Sequence, residues 1–168
     1  MRLLPQMGIQ EAKMTIALNE LDTKFKYDVA SEPGGERIKL CFACGLCTAS
    51  CPVSDIEQKF NPRRIIRMVL LGMRKEVLSS DIIWFCIQCY SCQAHCPQAV
   101  DFSDIVKALR DMAVREGYVA PAFVGNIKEI DVFCQKLRHE MVSAVIGSRS
   151  QGGEVEPARL AKEALQRL

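Results

Sequence analysis

The sequence predicts a mainly α-helical fold organised around two cysteine-rich loops. Three observations carry that prediction. Eight of the nine cysteines form two copies of one run, Cys41-x-x-Cys44-x-x-Cys47-x-x-x-Cys51-Pro52 and Cys86-x-x-Cys89-x-x-Cys92-x-x-x-Cys96-Pro97, with each cysteine of the second lying 45 residues after its counterpart. Each run is followed by apolar residues at helical spacing: Ile65, Ile66, Val69, Leu70 and Met73, then Ile105, Val106, Leu109, Met112 and Ala113. The alternation of apolar and polar residues that marks a strand is scarce around the runs.

The elements follow in chain order. Residues 1–13 carry little pattern. Met14, Ile16 and Leu18 alternate with Thr15 and Ala17, which predicts a short strand. Asp22 is placed to cap a short helix with Phe25 and Val29 one turn apart on one face. Pro33-Gly34-Gly35 ends it. The first cysteine loop spans 41–52. Asn61-Pro62 reads as an N-cap and first helical position, and the stripe after it predicts one amphipathic helix over 62–76. Ser79-Ser80-Asp81 starts another short helix that leads Trp84 and Phe85 into the second loop. Asp101 or Ser103 is placed to cap the next helix, and Gly117 stops it.

A helix after each loop makes the duplication structural as well as chemical. Pro121 opens a longer helix with Phe123, Ile127, Ile130, Cys134, Leu137, Met141 and Val145 at steps of three and four. Gly147 to Gly153 is a polar, Gly/Ser-rich linker. Pro157 to Leu168 is a last amphipathic helix carrying Leu160, Ala161, Ala164, Leu165 and Leu168. This divides the chain into an N-terminal docking segment (1–36), a two-loop helical domain (37–118) and a C-terminal helical extension (119–168).

The cysteine spacing states the chemistry. C-x₂-C-x₂-C-x₃-C-P is the ligand run of bacterial ferredoxins, in which thiolates hold a cubane iron–sulfur cluster. Written twice, it predicts two 4Fe–4S clusters and electron transfer. With little strand signal, the expected scaffold is an α-helical ferredoxin domain and not the small two-hairpin one. In the two-cluster pattern the fourth cysteine of a run serves the other cluster. One site is then Cys41, Cys44, Cys47 and Cys96, and the other is Cys86, Cys89, Cys92 and Cys51. Pro52 and Pro97 turn each fourth cysteine out of a continuing helix. Zinc is the weaker reading, because its knuckles come as separated pairs around one tetrahedral ion. A disulfide framework needs an oxidising compartment, and no secretory signal is visible.

Composition narrows the class. The chain has 168 residues, 49% of them apolar, and a formal net charge of +2, so a nucleic-acid partner is not expected. No apolar run reaches the roughly 18 residues of a membrane helix, so no membrane insertion is expected. The expected location is the cytoplasm. There is no G-x-G-x-x-G dinucleotide fingerprint and no plant-type C-x₄-C-x₂-C run.

The segments GGERIKLCFACGLCTASCP, FNPRRIIRMVLLG and IIWFCIQCYSCQAHCP resemble the C subunit of heterodisulfide reductase, over most of residues 20–120. That resemblance implies an electron-transfer subunit of a heterodisulfide-reductase-like complex. Its partners would be a flavin-containing iron–sulfur subunit that donates electrons and a CCG-motif subunit that cleaves a disulfide. Hydrogenase or dehydrogenase modules would be further partners. The chain lacks a Cys-Cys pair, so the resemblance gives it no substrate site and no catalytic residue of its own. An alternative is the iron–sulfur subunit of a flavin-linked organic-acid oxidoreductase, of the glycolate oxidase or succinate dehydrogenase type. A structural cluster module is a third.

Other residues carry two readings each. Gly45 lets backbone N–H groups approach sulfur, where the second loop has Tyr90. His95 is a loop residue or a charge beside Cys96. Cys134, on an apolar stripe, is expected to be a buried inert thiol. Phe42, Trp84 and Phe85 are shields for the clusters or ordinary core. Arg63, Arg64, Arg67, Arg74 and Lys75 form a solvated face, a docking surface for an acidic partner or a positive field that eases cluster reduction. The last helix is a frayed tail or an anchor.

Overall fold

A computed structural model of the chain describes residues 18–147 and 156–167. Among these the regular structure is helical, with no strand. Residues 14–17 of the expected strand lie outside the described residues, and Leu18–Glu20 forms a 3-10 turn.

Helix α1 (Phe25–Ser31) packs Phe25 and Val29, both fully buried, against the core. Asp22 is not its N-cap, which is Lys24. The Asp22 carboxylate instead accepts the Lys24 N–H at 2.9 Å, a local turn that sets the chain up to enter the helix two residues later. The first cysteine loop holds two short helices, α2 (Leu46–Ala49) and α3 (Pro52–Ile56).

Helix α4 (Pro62–Leu71) starts as the sequence predicts, with the Asn61 side chain accepting the Arg64 N–H at 2.9 Å and Pro62 in the first turn. It ends at Leu71, short of the predicted 76. Gly72 takes φ +83°, and the Gly72 and Met73 N–H groups bond back to the Val69 and Met68 carbonyls. This is the Schellman closure that a left-handed glycine permits. A Cβ at Gly72 would lie 2.3 Å from the Asp22 carbonyl oxygen, so the close approach also needs glycine. The inward stripe resumes in α5 (Arg74–Leu78) with Val77 and Leu78.

The turn Asp81–Phe85 is a 3-10 helix capped by Ser80, whose hydroxyl accepts the Ile82 N–H. The second loop holds α6 (Ser91–Ala94). Helix α7 (Phe102–Arg115) buries Ile105, Val106, Leu109, Met112 and Ala113 as predicted. Asp101 occupies the N-cap position without a capping bond from its side chain, and Ser103 lies buried inside the helix. Gly117, at φ +77°, closes it with the same pair of back-bonds seen at Gly72, here to Val114 and from Tyr118 to Ala113.

The duplication is visible in the packing. Ile38 and Ile83, just before the two runs, are both fully buried. Ile65, Ile66 and Val69 of α4 share one core with Ile105, Val106 and Leu109 of α7. Helix α2 packs on α6, α1 on both α4 and α7, and α5 on α7. The Phe60 and Phe102 rings meet edge to face with centroids 6.2 Å apart. Each such large apolar side chain contributes about 1.5–3 kcal/mol on burial, so the two halves are held by their shared core. Cys51 and Cys92 are part of it.

Outside, Arg74 bonds to Asp22 (2.8 Å), Asp28 (2.6 Å) and Glu116 (2.7 Å). It joins α1, α5 and the end of α7, so it does not belong to a free basic face.

Helix α8 (Pro121–Gly147) forms as predicted but has no buried residue. Phe123 touches Trp84 edge to face at 5.0 Å, and α9 (Pro157–Leu165) packs along α8 with Ala164 buried. Ile127, Leu137, Met141 and Val145 are half-buried, while Phe123, Ile130 and Cys134 are exposed. The linker beyond Gly147, and Leu168, lie outside the described residues.

Candidate metal centre

Both cysteine loops follow one backbone path. Ala43 and Gln88, at equivalent places, take φ +60° and +51°; Gly45 and Tyr90 take +90° and +60°. The central cysteine of each run, Cys44 or Cys89, is therefore flanked by two left-handed residues, and both of these cysteines are exposed. Alternating handedness bends the chain tightly enough to turn neighbouring sulfurs to one side. Glycine adopts this freely; each non-glycine residue there costs about 1–2 kcal/mol. Gly45 was legible as such in the sequence. Ala43, Gln88 and Tyr90 carry no local signal.

Donors converge on the sulfurs. Cys41 Sγ accepts the Ala43 N–H at 3.4 Å, and the Gln88 N–H does the same service for Cys86. Cys96 Sγ accepts the Val100 N–H at 3.2 Å. Cys92 Sγ and Ser103 Oγ lie 3.4 Å apart. The Thr48 hydroxyl donates to Asn61 Oδ1 and accepts the Arg63 N–H, which ties the first loop to the start of α4. Such donors stabilise negative charge on sulfur.

Arg110 is the functional residue that sequence reasoning missed. It is buried within α7, and its guanidinium donates to the carbonyls of Ile83 (2.9 Å), Trp84 (3.0 Å) and Cys86 (2.8 Å). It also lies over the Trp84 ring. Burial holds its pKa below the ordinary value, while the Cys86 thiolate and two aspartates pull the other way. The signal was present: a charge one turn after Val106, inside the apolar stripe.

The fourth cysteines sit near the opposite runs. Cys41, Cys44, Cys47 and Cys96 line one recess, together with Arg63. Burial pushes the Cys47 thiol up to about 11, against the Thr48 hydroxyl, with Cys41, Cys92 and Cys44 adding to the rise. Burial also raises Cys86 and Cys92, and Cys51 contributes to both rises. No disulfide joins any of the nine cysteines.

These residues fit cubane clusters. The donor set is all thiol, backed by backbone N–H groups. Ser50, beside Cys51, has a buried hydroxyl with no partner and so a donor to spare. Among the described residues, no three His, Cys, Asp or Glu side chains converge tightly enough for a single metal ion. A cubane offers four separate irons, one to each cysteine, so its thiols need not converge on one point.

The remaining candidates divide. His95 is exposed, and its Nδ1 donates to the Ser91 carbonyl, which marks it as a local helix-end contact. Phe42 and Phe85 are exposed, at 60% and 47%, while Trp84 is half-buried against α8 and Arg110. Cys134 is exposed, not buried as expected, on a helix that has no buried residue. Arg63, Arg64, Arg67 and Lys75 are exposed. Among the described residues, no helix is long and apolar enough to cross a membrane.

Comparison with known proteins agrees with this chemistry. Residues 37–100 match the family model of the 4Fe-4S dicluster domain. The C subunit of the H(2):CoB-CoM heterodisulfide,ferredoxin reductase of Methanothermobacter thermautotrophicus is 37% identical over 114 residues, covering 68% of this chain and 60% of that one. The second C-type iron-sulfur subunit of the CoB--CoM heterodisulfide reductase of Methanocaldococcus jannaschii is 45% identical over 85 residues, covering 51% of this chain and 45% of that one. The C subunit of the ferredoxin:CoB-CoM heterodisulfide reductase of Methanosarcina mazei is 44% identical over 81 residues, with 48% and 49% covered. The chain thus spans about half of the length of these relatives.

Proposed function

A homologue of the heterodisulfide reductase C subunits that carries a 4Fe-4S dicluster domain, this chain is, we propose, the electron-transfer subunit of a cytoplasmic heterodisulfide-reductase-like complex. It holds two 4Fe–4S clusters and relays electrons from a flavin-containing iron–sulfur subunit to a disulfide-reducing CCG-motif subunit. Catalysis belongs to the complex. Residues 37–118 form the cluster domain, into whose core α1 of the 1–36 segment packs, and residues 119–168 are an extension toward partners.

The observation that supports this reading is the shared lining of the first recess, in which Cys96 of the second run joins Cys41, Cys44 and Cys47 of the first. We assign those four thiols to one cluster, and Cys86, Cys89, Cys92 and Cys51 to the other. When bound, each cluster supplies one-electron exchange at constant geometry. The protein does the rest. Cys51 and Cys92 are held in the dry core, and the Cys44 and Cys89 sides open to solvent, where an electron enters or leaves. Arg110 and the loop N–H groups hold the sulfurs in place and favour their negative charge. The names of the relatives support this reading over the organic-acid oxidoreductase alternative.

The test is anaerobic purification of the isolated chain and of the complex that carries it. The isolated chain is expected to take electrons from a strong reductant and pass them to a dye, without turning over a disulfide. The complex is expected to contain a flavoprotein and a CCG-motif subunit. Steady disulfide reduction by the chain alone, or a hydroxy-acid oxidase as its partner, would overturn the reading.

A further inference from the structure

Helix α4 carries a groove that electron storage does not use. Arg63, Arg64 and Arg67 line it with Asn61, Met68 and Leu71, over about 320 Å³. All three arginines are exposed, and no ion pair found among the described residues involves them. Their neighbours in the fold differ. Arg74 is held by three carboxylates, Arg115 by Glu32 and Arg110 by three carbonyls. Three uncompensated guanidiniums on one helix face repel one another, so an anionic occupant gains against all three.

The groove is continuous with the first cysteine loop. Arg63 also lines the recess of Cys41, Cys44, Cys47 and Cys96, and its guanidinium lies 3.4 Å from where a Cβ on Gly45 would stand. Leu71 at the groove's far end is 54% exposed, and Leu46 in the loop 47%. Basic fork groups beside apolar side chains match a protein segment that brings both carboxylates and an apolar anchor. A free anion would leave the exposed Leu71 without a partner.

We propose that the Arg63–Arg64–Arg67 groove is the docking site for an acidic segment of a redox partner protein, placed so that the partner sits against the first cysteine loop. The partner's redox character rests on the electron-transfer reading; the acidity of its segment rests on the groove alone.

The test uses the full cluster-loaded chain in its native complex. A tagged chain with Leu71→p-benzoylphenylalanine is photo-crosslinked and the attached peptide is mapped. The mapped subunit is then titrated against wild type, against Arg63→Glu/Arg64→Glu/Arg67→Glu, and against Lys107→Glu, exposed on α7 and outside the groove, as control, at several salt concentrations. Visible cluster absorption checks that the triple variant is folded. The expected result is a crosslink to a run of Asp and Glu, and binding weakened about tenfold or more by the triple reversal. The control should bind normally, and reversing the partner's carboxylates to lysine should restore binding. A crosslink to a non-acidic segment, to a second copy of this chain or to nucleic acid overturns the proposal. So does a crosslink no stronger than one from Lys107→p-benzoylphenylalanine, or unchanged binding of the triple variant. An acidic segment on a protein with neither flavin nor iron–sulfur group keeps the groove's occupant and sinks the electron-transfer reading instead.

Discussion

Gly45 and Tyr90 occupy equivalent positions in the two cysteine loops, and both hold a left-handed backbone, at φ 90° and 60°. One is free of strain and the other is not. Gly45→Ala should destabilise the chain by about 1 kcal/mol, since a Cβ is penalised at positive φ. Tyr90→Gly should change stability by less than about 0.5 kcal/mol, because relief of strain offsets the extra freedom of an unfolded glycine. Anaerobic urea unfolding of both variants checks this. Equal losses would show that the two loops are not backbone equivalents.

Arg110 offers a sharper test of the second loop. Arg110→Met keeps the apolar stem but leaves the Ile83, Trp84 and Cys86 carbonyls without their donor. The expected loss is about 2–4 kcal/mol, from unsatisfied buried acceptors. Arg110→Lys should recover little, because an ammonium cannot reproduce a fork that reaches three carbonyls. Full rescue by lysine would mean that charge, not geometry, is what the site needs.

Arg74→Gln removes the centre of a cluster that joins Asp22, Asp28 and Glu116. With its side chain only 25% exposed, about 1–2 kcal/mol should be lost at neutral pH, and less at high salt. Burial alone would raise the Asp22 carboxyl; the Lys24 N–H and Arg74 outweigh it and hold it below its ordinary 3.8. A depressed folded pKa contributes stability above the unfolded value and loses it as pH falls through the folded one. The gap between wild type and Arg74→Gln should therefore narrow below about pH 4. Unfolding titrations at a series of pH values measure it; a gap that widens in acid would contradict the assignment.

Metal content and removal bear on the cofactor. Anaerobic preparations should contain about eight irons and eight sulfides per chain. Stripping them with a chelator should also loosen the contact between the halves, since each cluster would bridge them. Circular dichroism before and after chelation reads that change. Zinc without sulfide in the purified protein would end the iron–sulfur reading.

Ligand crossing can be read from one variant. Cys96→Ser should alter the spectrum and potential of the cluster held by Cys41, Cys44 and Cys47, although residue 96 belongs to the other run. If only the cluster of Cys86, Cys89 and Cys92 responds, each run serves its own cluster.

What the sequence determined by itself is local. Two cysteine runs, the Asn61-Pro62 helix start, the Gly117 stop and the inward stripe of α7 depend on residues within a turn or two of one another, so spacing and capping chemistry suffice to read them. Tertiary structure decided the rest, because the deciding partners are far apart in the chain. The 62–76 helix breaks at Gly72, where the Asp22 carbonyl comes too close for a side chain. Arg74 leaves the basic face because Asp22, Asp28 and Glu116 surround it. Arg110 enters the core because three carbonyls at the mouth of the second loop need a donor. Cys134 stays on the surface because α8 buries none of its residues, and a periodic apolar stripe says which residues share a face but not whether anything packs against it.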